Sequence, residues 1–342
     1  MARRITYQQA INEALAQEME RDETVVLMGE DIAGGMGAGG EKDAWGGVLG
    51  VTKGLYHRFP GRVLDTPITE SAYIGAAAGA AASGLRPVAE LMFVDFMGVC
   101  FDQIYNQTAK FRYMFGGGAR TPLVIRTMWG AGIRAASQHS QSLYPIFTHI
   151  PGLKVVIPSN PYDAKGLLIQ SIRDDDPVIF LEHKVLYTVE GEVPGESYVV
   201  PFAEANVVRE GADVTVVALG RMVQFAEQAA ELLHREDGIS CEIVDPRTTS
   251  PLDEDTILES VENTGRLVVA DEASPRCGMA CDIVARVAQE AFADLKAAPR
   301  MVTAPHTPVP FSPTLEDAYV PSPERIADAV REVAGAATAG AR

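Results

Sequence analysis

Residues 72–85, AYIGAAAGAAASGL, are apolar apart from Ser83, and nearly all of them are alanine or glycine. The run is shorter than the roughly 20 apolar residues a membrane span requires. It therefore reads as a buried helix whose small side chains let another backbone or a flat ligand come very close. A strand-like pair, Val63-Leu64, precedes it, a second strand at 88–92 follows, and an acidic-aromatic corner, Asp95-Phe96, comes next. Glu70 stands at the mouth of this helix, where a carboxylate must find a partner or be neutralised. The helix N-terminus favours the anion modestly, and desolvation opposes it. Two readings stay open here. Glu70 answers the helix dipole, which is common, or it exchanges a proton with a ligand nitrogen in an apolar cleft.

The same alternation runs through most of the chain. Thr6-Tyr-Gln-Gln9 is a capping box, and Ala10, Ile11, Ala14, Leu15 and Met19 make one apolar stripe. Strands are expected at 25–28, 122–126, 154–157 and 178–181. A short helix is expected at 53–59, and one long helix from Phe96 to the Gly116-Gly-Gly118 stop. Another helix starts at Pro161 and ends at Asp174-Asp-Asp-Pro177. Strands and helices resume at 214–219, 223–233 and 241–244, with a helix capped by Ser250-Pro251 after that. A strand at 267–270, a helix at 279–292 and a last helix capped by Ser322-Pro323-Glu324 complete the pattern. Strands alternating with helices imply an α/β fold of parallel sheets covered on both faces. The expected division is a first domain over 1–186, a linker over 187–206, a smaller domain over 207–335 and a flexible tail over 336–342.

A length of 342 residues suits two domains, and 47% hydrophobic with 22% charged residues is ordinary for a soluble α/β protein. The net charge of −17 argues against nucleic acid and against anionic membrane surfaces. Cys100, Cys241, Cys277 and Cys281 make no disulfide framework and no zinc site; they read as small buried hydrophobes in a reducing compartment, most simply cytoplasm. Gly35-x-Gly37-x-x-Gly40 matches the dinucleotide fingerprint by letter, yet the glycines do not directly follow the strand and no helix opens at Gly40. A mobile or ligand-adjacent loop over 32–50 is the better reading.

The ordered segments MGED, VLDTPITES, GLRPVAELMFVDF, TAKFRY, QHSQ, HIPGLKVVIPSNPYDAKGLL, RDDDPVIFLEH, DPRTTSPLD and HTPVPF carry a resemblance over nearly the whole length. The chain resembles the beta subunit of the thiamine-diphosphate-dependent first component of 2-oxo acid dehydrogenase-type complexes. The loop IAGGMGAGGEKDAWGGVLGVTKGL makes it similar to the acetoin-cleaving branch, with the pyruvate and branched-chain branches as alternatives. The resemblance implies a transketolase-like pyrimidine-binding domain followed by a transketolase C-terminal-type domain, in an α2β2 assembly with an alpha subunit. The implied reaction cleaves acetoin to acetaldehyde and passes the remaining hydroxyethyl unit, oxidised to acetyl, to a lipoyl group on an acyltransferase core.

Carried over by position, Glu70 would bond the aminopyrimidine nitrogen of thiamine diphosphate, with Phe96 on the ring and Ile68 lining the same pocket. His139 would be the proton donor or acceptor at the reacting carbon, against the plainer role of a loop imidazole capping carbonyls. Oxygens of Leu123, Ser171, Ile172 and Asp174, with Asp176, would hold a potassium ion; the alternative is an acidic helix stop. The chain contains no Gly-Asp-Gly motif for holding the diphosphate through Mg2+, so that ion is assigned mainly to the alpha subunit. A purely structural docking scaffold is the reading from a different class, and intact Glu70 and His139 speak against it.

Overall fold

The computed structural model describes residues 2–34 and 46–335. The Gly35-x-Gly37-x-x-Gly40 motif and the 336–342 tail lie outside the described residues. The chain forms two compact units, Met1–Trp129 with Ile146–Phe202, and Gly130–Pro145 with Ala203–Arg342.

In the first unit β1 (Ala2–Thr6) leads into α1 (Tyr7–Arg21), β2 (Val25–Glu30), α2 (Leu55–Arg58), β3 (Val63–Thr66), α3 (Glu70–Ala82) and β4 (Arg86–Phe93). After α4 (Phe111–Met114) and β5 (Val124–Trp129) the chain leaves this unit, and returns through α5 (Tyr144–Thr148) to β6 (Lys154–Val156), α6 (Pro161–Arg173), β7 (Val178–His183) and β8 (Glu190–Pro194). The parallel strands of this unit run in the order β6-β7-β5-β4-β2-β3. The capping box forms as the sequence expects: the Thr6 hydroxyl accepts the Gln9 N–H and the Gln9 amide oxygen accepts the Thr6 N–H. The apolar stripe of α1, with Ile11, Leu15 and Met19, shares a core with Leu167, Leu168 and Ile172 of α6. Buried Glu18 of α1 takes Arg173 of α6 at 2.7 Å.

Two local expectations are corrected here. The region expected as one helix from Phe96 onward is a 3-10 turn over Val94–Cys100, a wide π turn over Gln103–Thr108 and the short α4. The Ala109 N–H reaches back five residues to the Ile104 carbonyl, and the Thr108 hydroxyl takes the Gln103 carbonyl at 2.7 Å. That opens the helix without changing its apolar periodicity. Residues 190–194, expected within the linker, form β8, which pairs antiparallel with β1 from Ala2↔Pro194 to Thr6↔Glu190. The chain through 202 thus packs with the first unit.

The second unit contains β9 (Asn206–Arg209), β10 (Val214–Ala218), α7 (Met222–Asp237), β11 (Cys241–Asp245), β12 (Thr248–Ser250), α8 (Glu254–Thr264), β13 (Leu267–Asp271), α9 (Met279–Glu290), β14 (Arg300–Thr303), α10 (Pro313–Tyr319) and α11 (Pro323–Ala334). Its sheet runs β14-β13-β10-β11-β9, parallel except for the antiparallel edge strand β9. Ser250-Pro251 does not cap α8. That helix begins three residues later, where the Asp253 carboxylate accepts the Thr256 N–H. Cys100 and Cys241 are buried as expected, but Cys277 is exposed and Cys281 half-buried, because both fall at the turn that opens α9. Among the described residues no helix is long and apolar enough to cross a membrane.

One close approach fixes the loop before β6. Gly152 has φ +100°, and a Cβ there would sit 2.1 Å from the Ala109 carbonyl oxygen. Gly152→Ala is expected to destabilise the chain by roughly 3 kcal/mol or more, from backbone strain plus overlap with a fixed carbonyl. Gly61→Ala, at φ +79° with open space around it, should cost only about 1 kcal/mol. Urea midpoints of the two variants measure the difference.

Candidate active site

The parallel register places Glu30, the last residue of β2, beside Thr66, the last of β3. Glu70 opens α3 next to this strand end and is only 9% exposed. Thr69 offers no side-chain cap, so the start of the helix is secured by backbone bonds from Ala72 and Tyr73 to the Thr69 carbonyl. Carboxyl ends of parallel strands are where α/β sheets take ligands. Three buried polar atoms here, Glu30 Oε2, Thr66 Oγ1 and the Tyr73 hydroxyl, have no hydrogen-bond partner among the described residues. Burial and then the Glu70 charge push the Glu30 carboxyl above its usual range. Burial likewise raises the Tyr73 hydroxyl, and the Cys100 thiol is pushed up to about 12. Leaving such groups unsatisfied costs about 1–3 kcal/mol each. The corner is thus a donor-seeking, acidic surface at the end of an apolar helix.

The other residues expected here are adjacent. The Ser71 hydroxyl donates to the Val99 carbonyl, which ties the start of α3 to the 3-10 turn carrying Phe96. Phe96 is half-buried, with its ring edge-on to Phe93 at 5.7 Å. Ile68, two residues before Glu70, is 73% exposed. Sequence reasoning missed Glu30, Thr66 and Tyr73. Glu30 carried a signal, since an acid closing a fully buried strand needs a reason, and Tyr73 lies three residues along the helix from Glu70.

His139 belongs to the second unit, on the irregular loop 130–145, and is half-buried. Its N–H bonds the Ala136 carbonyl, and the Gly130 N–H reaches the Gln141 carbonyl, which closes the loop on itself. Arg134 and Ala136 sit at φ 60° and 59°, a conformation that side chains other than glycine resist. The neighbouring Ser140 hydroxyl is buried and has no partner among the described residues. Beside this loop is a cleft of about 350 Å3 that includes Gln141, Leu143, His306 and Tyr319; the Ser274 hydroxyl and His306 Nδ1 lie 2.7 Å apart at its wall. At the far end of the loop the Tyr144 hydroxyl donates to the buried Asp271 carboxylate, the last residue of β13.

The expected potassium ligands do converge, around the end of α6, but each oxygen already holds a donor. The Leu123 carbonyl accepts the Val178 N–H, and the Ser171 carbonyl accepts the Asp174 N–H. Arg86 donates to the carbonyls of Ile172 and Asp174 at 3.1 and 2.9 Å. The Asp176 carboxylate is paired with Arg112 and Lys154. Side-chain cations supply positive charge at this turn, and a carbonyl oxygen that accepts one donor keeps a second lone pair.

Comparison with known proteins agrees with this architecture. Residues 3–190 match the model of the transketolase pyrimidine binding domain, and residues 203–326 that of the transketolase C-terminal domain. A solved structure described as a split gene transketolase, inactive beta4 tetramer, superposes with a TM-score of 0.77 at 22% identity, covering 97% of this chain and 98% of that one. The two domains are those of a transketolase-type, thiamine-dependent enzyme. The chain is 69% identical to the acetoin:2,6-dichlorophenolindophenol oxidoreductase subunit beta of Cupriavidus necator, over 97% of this chain and 98% of the relative. It is 57% identical to the subunit of the same name from Bacillus subtilis, over 98% of each chain. The 2-oxoisovalerate dehydrogenase subunit beta of Bacillus subtilis is 43% identical over 96% of this chain and 98% of that one. The chain belongs to the family of thiamine-diphosphate-dependent E1-type beta subunits.

The Asp271 carboxyl beneath the loop has a pH signature. Burial pushes it up to about 6, against the lowering effect of the Tyr144 hydroxyl and the Ala273 N–H. A carboxyl whose folded pKa lies above the unfolded one adds stability that is full below about pH 4 and is lost as pH rises through about 6. Two pH units correspond to roughly 3 kcal/mol. Asp271→Asn should therefore compare worst with the parent at pH 4.5 and better at pH 7.5. Melting temperatures at both pH values check the sign.

Proposed function

We propose that the chain, assembled with an alpha subunit as α2β2, cleaves acetoin to acetaldehyde and delivers the remaining two-carbon unit, oxidised to acetyl, to a lipoyl group of an acyltransferase core. The observation that carries the proposal is buried Glu70 at the start of α3, beside the unpartnered atoms of Glu30, Thr66 and Tyr73. An aminopyrimidine fits such a corner, because it brings a ring nitrogen and an amino group with hydrogens to donate. Thiamine diphosphate, when bound, supplies a stabilised carbanion centre for breaking a bond next to a carbonyl. Glu70 holds and returns the proton at the ring nitrogen. Phe96 covers the ring face, and exposed Ile68 gives it an apolar edge. His139 gives or takes the proton at the oxygen of the substrate.

The diphosphate and its Mg2+ are assigned to the alpha subunit, because this chain has no Gly-Asp-Gly motif. Among the described residues there is also no cluster of His, Cys, Asp or Glu arranged to hold a metal. A structural potassium ion at Leu123, Ser171, Ile172, Asp174 and Asp176 belongs to the same proposal, sharing oxygens that already accept protein donors. Co-expression with candidate alpha subunits, followed by assays with acetoin, pyruvate and branched 2-oxo acids, tests the substrate. Preference for a 2-oxo acid would move the chain to the pyruvate or branched-chain branch.

The two central side chains should fail at different steps. Glu70→Gln keeps the size and the hydrogen bond but cannot relay the proton, so exchange of the thiazolium carbon proton, followed by NMR, should slow sharply. His139→Ala should leave that exchange nearly normal while turnover falls by ~100-fold or more. Normal exchange in the first variant sinks the role of Glu70, and normal turnover in the second returns His139 to a structural part.

Assembly has its own test. Ala72, Ala76 and Gly79 form an open, small-residue face on α3, and a Cβ at Gly79 would meet nothing within 4 Å in this chain. Gly79→Leu should therefore leave the chain folded and block close packing by a second helix in the assembly. Size-exclusion profiles of co-expressed subunits decide: full assembly of the variant would mean that no helix approaches this face.

A further inference from the structure

We infer that Glu316, acting with Arg134, is a positioning residue for His139. This rests on the acid–base reading of His139 given above. Glu316 lies on the short helix α10, is wholly buried, and directs both carboxylate oxygens at the loop that carries the histidine. Oε1 accepts the Gly132 N–H at 2.8 Å, and Oε2 accepts the Arg134 N–H at 3.2 Å and Arg134 Nη1 at 2.6 Å. The same guanidinium reaches the Pro313 carbonyl at 3.2 Å and Asp317 at 2.7 Å. Two further contacts hold the loop from other elements of this unit. Buried Glu272, just after β13, accepts the Ala131 N–H, and the Ser137 hydroxyl donates to the Val309 carbonyl at 2.6 Å.

These bonds cover residues 131 to 137 and stop immediately before Gln138-His139-Ser140. Between Gly130 and Leu143 the loop has no helix or strand of its own. It also contains two non-glycine residues at positive φ, Arg134 and Ala136, which persist only where the surroundings over-determine the backbone. Glu316 supplies that constraint. A carboxylate facing two backbone N–H groups and a guanidinium makes charge-assisted bonds, stronger than neutral ones. If the carboxylate is neutralised, Arg134 loses its buried counter-charge and one loop N–H loses a strong acceptor. The loop then relaxes, and a displacement of about 1 Å at an acid–base group can cost on the order of 100-fold in rate.

The test uses the enzyme assembled with its alpha subunit and acetoin as substrate. Glu316→Gln should lower kcat by about tenfold or more with KM nearly unchanged, leave the thiazolium proton exchange that reports on Glu70 intact, and speed amide hydrogen exchange across 130–138. In a His139→Ala background the same substitution should cause no further loss of turnover, because it acts only through that histidine. A further full loss in the double variant overturns the positioning role. Unchanged amide exchange across 130–138 overturns the clamp itself. Normal turnover of the His139→Ala single variant would instead refute the role of the histidine, and with it any positioning effect on turnover, whatever the amide exchange shows. Should Glu316→Gln fail to assemble, Arg134→Met at the half-exposed end of the pair carries the same readings in smaller measure.

Discussion

The packing of a helix made of alanine and glycine against a parallel sheet is the constraint on which the first unit depends. Large side chains at Ala77, Ala78 or Ala81 would lift the helix away from the strands. With alanines there, Tyr73 and Ile74 of its first turns also reach the interior, and Glu70 starts the helix in nearly complete burial. Burial makes the carboxylate matter, because a charge removed from water interacts strongly with whatever is brought beside it. The neighbouring Glu30 and Tyr73 feel it already, and both titrate above their ordinary range with Glu70 as one cause. The raised titration of these groups is thus a product of the packing and of their shared charge, and belongs to no one residue.

Much of this was legible in the sequence. The alternation of β-branched runs with helical periodicity specifies the parallel sheets, and the capping signals at Thr6 and Ser322 mark helix starts where the structure has them. Glu70 was recognisable because an acid at the head of an apolar helix conflicts with its surroundings. What stayed hidden depends on contacts distant in the chain. Ser250-Pro251 looks like a helix start by local chemistry, but Asp253 also bonds the Ala205 N–H and so fixes the start three residues later. The wide turn at 103–108 has the same apolar spacing as a regular helix, and only its hydrogen bonds distinguish the two. Glu316 is a plain helical glutamate in sequence, and its burial becomes meaningful only when the loop 184 residues earlier is seen on its carboxylate.

The acidic stop after α6 gathers charge from several segments. Sequence resemblance gathers Leu123, Ser171, Ile172, Asp174 and Asp176 as cation ligands, and the fold does bring them together. The cations it supplies, however, are Arg86, Lys154 and Arg112, drawn from three other segments. Guanidinium and ammonium groups fixed by the chain thus lie among the oxygens that the resemblance assigns to an ion.

The excursion of residues 130–145 from the first unit into the second has a consequence for how the chain comes to be made. Two strands of the first sheet, β6 and β7, are encoded after that excursion, while the carboxylates that seat the excursion arrive only at 271, 272 and 316. During synthesis the parallel strands β2 to β7 are made before the carboxylates that seat the loop, and the loop gains its last anchor only once residue 316 has been made. No single cut separates the two units into independent pieces. The histidine loop is thus held by groups that are made long after it, and its fixed form waits on the second unit.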